Sequence, residues 1–394
     1  MTHSSESKKT DSDSNETADF HTYHEINWQP KLWLDVYRTI ASQREELNNF
    51  LLPLISNKQL KIILTGAGSS AFIGKTIQHA FYQNFGIDST AISTTSLVTH
   101  FENYVSADRP LLLISFARSG NSPESNAVVD LAEKFCSEVY HIAITCNPLG
   151  SLAEKVNDLG NGLTLILPPE AEDKALAMTG SFTGMLLAAA LTAKMDSFEG
   201  LENDVKQISV TGQSLLDDHH GDFKELAEYD FNRIVFLGSG PLLGISRESH
   251  LKVQELTNGE VIGKHDSFLG FRHGPKVVVN KKTVLVYLFS PDEYVFRYEK
   301  DLAREILSEN THMYTIGIFA SEEMSRQVDC DLKVELNYNG NPDPDVGLLP
   351  YVIPAQLIGL YKSIDLGLNP DSPSDNGTIS RVVKGVHIYS KTDS

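Results

Sequence analysis

The sequence predicts an α/β protein made of two tandem, doubly wound parallel sheets with helices on both faces. Three observations carry that expectation. "KIILTGAG" at Lys61–Gly68 and "RIVFLGSG" at Arg233–Gly240 are both apolar strands running into a glycine turn. Each turn leads into a helix-length segment, "SSAFIGKTIQHAFYQNF" in one case and "PLLGISRESHLKVQEL" in the other. Further short apolar runs follow both: "LLLISFA" and "VYHIAITC" after the first turn, "KTVLVYLFS" and "HMYTIGIF" after the second. Short strands alternating with helices build βαβ units and parallel sheets. Recurrence of the device about half a chain apart indicates a duplicated domain.

Taken in order, residues 1–25 are expected to form a disordered polar tail, since "MTHSSESKKTDSDSNETADF" offers no apolar signal segment. The first domain is placed at 26–220. It opens with a helix near Lys31–Ile55, and its second strand is expected over Ser89–Thr94. Helical connectors are expected at Asp173–Met195 and Leu201–His220. The boundary falls near Gly221, and the second domain runs over 221–394. The longest apolar stretch, "MLLAAALTA", is too short to cross a bilayer.

The chain has 394 residues, 41% hydrophobic and 22% charged, which is enough for two ordinary cores. A formal net charge of −19 argues against nucleic acid or an anionic membrane as partner. An anionic substrate must therefore be attracted by local features. Three cysteines without metal-type spacing read as reduced, buried thiols, and a cytoplasmic location is expected. No metal site is expected, because thirteen histidines show no HExxH pattern.

"GAGSSA" at 66–71 matches a relaxed dinucleotide fingerprint, but the second strand has Asp88 at its start rather than an acid at its end. A nicotinamide cofactor is therefore not expected. The hydroxyls suggest another ligand. Ser69 and Ser70 begin one helix, and Ser119 and Ser122 stand where another begins. "Ser122-Pro123-Glu124" has the order of a helix start: cap, proline, acid. Such serines can simply cap helices. Two such corners, with Arg118 and Gly120 beside one of them, also make a cradle for a phosphate-sized anion. The equivalent corner of the second copy, "LFSPDEYV", carries acids where an anion would sit, so one site per chain is expected.

These residues resemble a known family. "GAGSS", "SGNS" and "QELTNGEVIGKHDSFLGFRHGP" look like the sugar isomerase (SIS) domains of aldose–ketose isomerases and glucosamine-6-phosphate synthase, which are flavodoxin-like. The likeness runs from about residue 45 to the C-terminus and is strongest to the two-domain galactosamine-6-phosphate deaminase/isomerase group. It implies that Ser70, Ser119 and Ser122 hold a sugar phosphate, with Ser69 nearby. It implies further that Glu255 is the base between C1 and C2, that His273 opens the pyranose ring, and that Lys384 reaches the carbonyl end. Arg118 stands where the synthase has glutamine, so its phosphate role is inferred from charge. The glutamine-hydrolysing domain of the synthase has no counterpart in this sequence.

Independently of the family, Glu255 lies in the last turn of a helix stopped by Thr257-Asn258-Gly259, where the helix dipole opposes a negative charge. A solvated surface glutamate and a proton-transfer base both fit that position. His273, in "GFRHGPK", suits a proton shuttle or an ordinary exposed loop histidine. Lys384 suits a solvated tail lysine equally well.

The expected activity is deaminating isomerisation of an amino-sugar 6-phosphate, galactosamine 6-phosphate in the first instance, giving the ketose 6-phosphate and ammonia. No cofactor is required, because the substrate's own carbonyl or imine accepts the electrons. Plain ketose–aldose isomerisation and non-catalytic sugar-phosphate sensing are the alternatives. In the family the ring-opening histidine comes from a neighbouring subunit, so a homodimer or larger closed assembly is expected.

Overall fold

The computed structural model describes residues 17–374, 377, 379–383 and 385–389; Lys384 and the first sixteen residues lie outside the described set. Two helices open the chain, α1 (His21–Ser42) and α2 (Arg44–Ile55), where one was expected. The break is at Gln43, whose side chain donates to Thr39 O and Ile166 O.

The first sheet contains β1 (Lys61–Thr65), β2 (Asp88–Ala91), β3 (Leu111–Ala117), β4 (Val139–Thr145) and β5 (Gly162–Ile166). Its helices are α3 (Ser69–Phe85), α4 (Thr94–His100), α5 (Pro123–Phe135) and α6 (Ser151–Asp158). The strands are parallel, in the order β2-β1-β3-β4-β5. The second strand is shorter than expected. Ser93 turns the chain into α4 by accepting a hydrogen bond from Ser96 N–H. Asp88 is held at the strand's start by Arg109, at 2.8 Å.

A wholly buried helix, α7 (Gly180–Ala193), explains the "MLLAAALTA" run: it is core between layers rather than a membrane span. Residues 173–179, expected to be helical, instead form an irregular approach to it. The long α8 (Leu201–Ala227) then carries the chain to the second sheet, and Gly221 lies within it.

The second sheet contains β6 (Arg233–Gly238), β7 (Ile262–Asp266), β8 (Thr283–Leu288), β9 (Tyr314–Phe319) and β10 (Leu332–Glu335), in the order β10-β9-β8-β6-β7. Its helices are α9 (Pro241–Leu256), α10 (Phe268–Phe271), α11 (Glu293–Glu309) and α12 (Glu322–Ser325), followed by α13 (Ile353–Asp365). Both sheets follow one connectivity, in which the first strand has the second on one side and the third on the other. The glycine turns match as well: Gly68 has φ 56° and ψ −130°, and Gly240 has φ 54° and ψ −123°. A Cβ on Gly66 would meet the Ser70 backbone at 2.6 Å, and one on Gly238 the Leu242 carbonyl at 2.4 Å. Only glycine lets the strand turn so tightly against its helix.

The two halves meet through α3 and α9. A Cβ on Gly244 would lie 2.6 Å from Thr76 N and Cα, so the two helices touch at the backbone. That contact sets the start of α3 beside the buried face of α9.

Candidate functional site

In a doubly wound sheet the crevice forms where strand order reverses, here between β1 and β3. The corners after those strands are Gly66–Ser70 and Arg118–Ser122. Gly120, with φ 69°, gives the second corner its bend. Among the described residues, the main-chain N–H groups of Ala67, Gly68 and Ser69, and of Ser119, Gly120 and Ser122, donate no hydrogen bond. Two clusters of unpaired donors at two helix starts are an anion-binding arrangement.

The serine side chains differ. Ser122 caps α5, accepting from Ser125 N–H at 3.2 Å, so its hydroxyl has a structural task whatever binds beside it. Ser119 Oγ accepts from Asn121 N–H at 3.3 Å. Ser70 is buried, with its hydroxyl 4.0 Å from Met178 Sδ. Ser69 faces α9 and donates to Glu248 Oε1 at 3.0 Å.

That bond begins a chain of groups that reaches Glu255. Glu248 and Lys252 are completely buried on one face of α9. Lys252 Nζ lies 3.2 Å from Glu248 Oε1 and 2.7 Å from Glu255 Oε2. Burial pushes the Glu248 carboxyl up to about 7, Glu255 pushes the same way, and Lys252 and Ser69 oppose them. Burial works against the Lys252 charge, but the two flanking carboxylates outweigh it and raise its pKa. Glu255 itself is partly open, its side chain 24% exposed. Its Oε1 makes no hydrogen bond among the described residues. The arrangement is a carboxylate with one oxygen fixed by a buried ammonium and the other free.

Arg118 is tied down. Its guanidinium donates to Ala175 O at 3.2 Å, Leu176 O at 3.0 Å and Arg381 O at 3.0 Å. It therefore fastens the 173–178 segment and the C-terminal segment against the second corner. Burial lowers its pKa, while Asp173 and Glu255 favour its charge, so Glu255 lies within electrostatic reach of this corner. Asp173 is buried at the start of α7, where its carboxylate accepts from the N–H groups of Thr179, Gly180 and Ser181. Arg381 in turn donates to Asp173 O. Lys384, three residues further on, lies outside the described residues.

His273 is exposed and makes no side-chain hydrogen bond among the described residues, so nothing in the single chain joins it to Glu255. Its loop is braced from both sides: Arg272 pairs with Glu305, and Lys276 with Glu305 and Glu309, each at 2.6 Å for the lysine. The pairing of Arg272 with Glu305 uses its positive charge locally. His265, the neighbouring histidine, packs against His250 with ring centroids 4.5 Å apart and planes tilted by 45°, and burial holds it down at about 4. All three cysteines are free, and burial pushes the Cys136 and Cys330 thiols up to about 11 and 12.

Sequence reasoning missed Glu248 and Lys252. The signal was present in "ESHLKVQE", whose acid–base–acid spacing puts three charges on one helical face that also had to be buried.

A family model described as "SIS domain" matches residues 54–195. The D-galactosamine-6-phosphate deaminase AgaS of Escherichia coli is 40% identical over 375 residues, covering 93% of this chain and 95% of that protein. The enzyme of the same name from Shewanella sp. (strain ANA-3) is 38% identical, covering 94% and 92%. Among solved structures, the tagatose-6-phosphate ketose/aldose isomerase from Escherichia coli superposes with a TM-score of 0.86 at 37% identity, covering 95% of this chain and 97% of that one.

Proposed function

The chain belongs to the SIS-domain family that includes the galactosamine-6-phosphate deaminases, and from that premise we propose that it converts galactosamine 6-phosphate and water to tagatose 6-phosphate and ammonia. The observation that carries the reading is the unbroken run of groups from the anion corner, through Ser69, Glu248 and Lys252, to Glu255.

The dianion sits on the free N–H groups of the two corners, with the hydroxyls of Ser70, Ser119 and Ser122 around it. Anchoring the phosphate fixes the carbon chain and removes rotational freedom that the reacting end would otherwise retain. His273, supplied by a second subunit, gives a proton to the ring oxygen and opens the pyranose. Glu255 Oε1 removes the C2 proton and returns it at C1, leaving a C2 imine that water hydrolyses to the ketone with release of ammonia. Lys252 holds the other carboxylate oxygen and sets its direction. Arg118 acts by keeping the 173–178 segment closed over the corner and by adding positive charge. Lys384 assists at the carbonyl end, a role that rests on the family resemblance.

Ketose–aldose isomerisation is the second reading, favoured by the likeness to the tagatose-6-phosphate isomerase structure. The proton relay would be the same. Incubating the purified protein with galactosamine 6-phosphate and measuring ammonia separates the two. Stoichiometric release supports deamination. No release at any pH, together with solvent-deuterium incorporation into tagatose 6-phosphate, supports the isomerase. A sensor would do neither, and Glu255→Gln would leave its ligand affinity unchanged.

A further inference from the structure

The duplication leaves a second crevice at the carboxyl end of the second sheet, and it is a cavity of about 980 Å³. Its walls are the counterparts of the first site: Ser239–Leu242 after β6, Ser290–Asp292 after β8, and His79 and Gln83 from α3. In the first site the corresponding helix is α9. Counting from Gly66 and from Gly238, Gln83 stands in α3 where Glu255 stands in α9.

The chemistry of this copy has been inverted. Its helix start is already occupied by carboxylates: Asp292 Oδ1 accepts from the N–H groups of Tyr294 and Val295, at 2.8 and 3.1 Å. Ser290 N–H donates to the buried Glu299 Oε2 at 2.7 Å, and Ser239 lies close enough to bond the same carboxyl. Lys194 brings positive charge to the wall, but Asp343 and Asp345 hold it at 2.9 and 2.8 Å, and Asp345 Oδ1 also lies 2.6 Å from His79 Nε2. Asp292 has no ion-pair partner among the described residues. A phosphate would meet fixed negative charge here and find those helix-start donors already taken. A cation meets an unpaired carboxylate, with serine and asparagine groups around it, in a volume typical of small-molecule sites.

We propose that this cavity binds an unphosphorylated, hydroxyl-bearing amine, such as a free amino sugar, and does not turn it over. The amide of Gln83 cannot take a proton as a carboxylate does, so the copy retains binding without the base. Because α3 begins at the phosphate corner and carries His79 and Gln83 to this cavity, one rigid helix touches both ligands. The inference rests on the cavity's own groups and not on the deaminase reading, which ammonia release tests separately.

Titration calorimetry of the intact protein with D-galactosamine tests it, using Asp292→Asn and Gln83→Trp as variants. Asparagine keeps the helix cap while removing the charge, and tryptophan fills the cavity from its exposed rim. Circular dichroism melts check that both variants fold. The expected result is saturable binding to the wild type, weakened about tenfold or more in each folded variant. No binding up to about 10 mM, or unchanged affinity in either folded variant, overturns the proposal.

Discussion

Glu255 and Lys252 carry opposite charges 2.7 Å apart, and each depends on the other. Replacing Glu255 by Gln keeps the shape and removes the base, so kcat should fall by roughly 10²- to 10⁴-fold while affinity for a hexose 6-phosphate is kept. Lys252→Met removes the ammonium from between two carboxylates. Glu255 then loses the contact that fixes its direction, so kcat should fall while KM for the sugar phosphate is kept. A purely structural lysine would leave both constants of the folded variant unchanged. Glu248 makes a separate prediction about stability. Its pKa is about 7 in the folded protein and near 4.5 when exposed. The folded state therefore binds the proton more tightly, and the associated stability is present below about pH 4.5 and lost as pH rises to about 7. Denaturant titrations should show wild-type stability falling relative to Glu248→Gln across that window. A difference that is flat with pH would contradict this.

At the scale of elements, the strand–glycine–helix units were legible because a Gly without a Cβ at positions 66 and 238 has a sterically unique task. The strands β1, β3, β4, β6, β8 and β9 were legible because each is an apolar run buried on both faces. The short edge strand β2 was overextended, since its polar sequence lacks that pattern and Ser93 already begins the next helix. The 173–179 segment misled for a different reason. Its residues have helical propensity, but Asp173 is used as a buried cap for α7 and needs the chain to loop back over it. Asp173→Ala should therefore cost at least about 2 kcal/mol, from the lost cap and its charge-assisted hydrogen bonds. It should also loosen the segment that Arg118 fastens, raising KM for the sugar phosphate. Unchanged unfolding midpoint in that variant would sink the assignment. The ion chain on α9 was only half legible. Glu255 stood out at a helix end, but that Glu248 and Lys252 are buried follows from the α3–α9 contact, which no local pattern records.

For the whole molecule, the exposed His273 on a braced loop and the incomplete set of groups around Glu255 fit a site completed by a second copy. Mixing Glu255→Gln protein with His273→Ala protein, with confirmed subunit exchange, should restore up to about a quarter of wild-type activity, because one site in each mixed dimer is intact. No rescue would count against a site shared between subunits. The net charge of −19 makes anion capture depend on the two donor corners of the first half, while the second half has closed its own corner with Asp292 and Glu299. On the proposed reading each chain holds one phosphate site. The most direct measurement is a crystal structure of Glu255→Gln protein soaked with galactosamine 6-phosphate. The phosphate should lie on the N–H groups of residues 67–69 and of 119, 120 and 122, with C2 in contact with the substituted side chain. Phosphate density at the second cavity instead, or C1 and C2 turned away from position 255, would contradict the account.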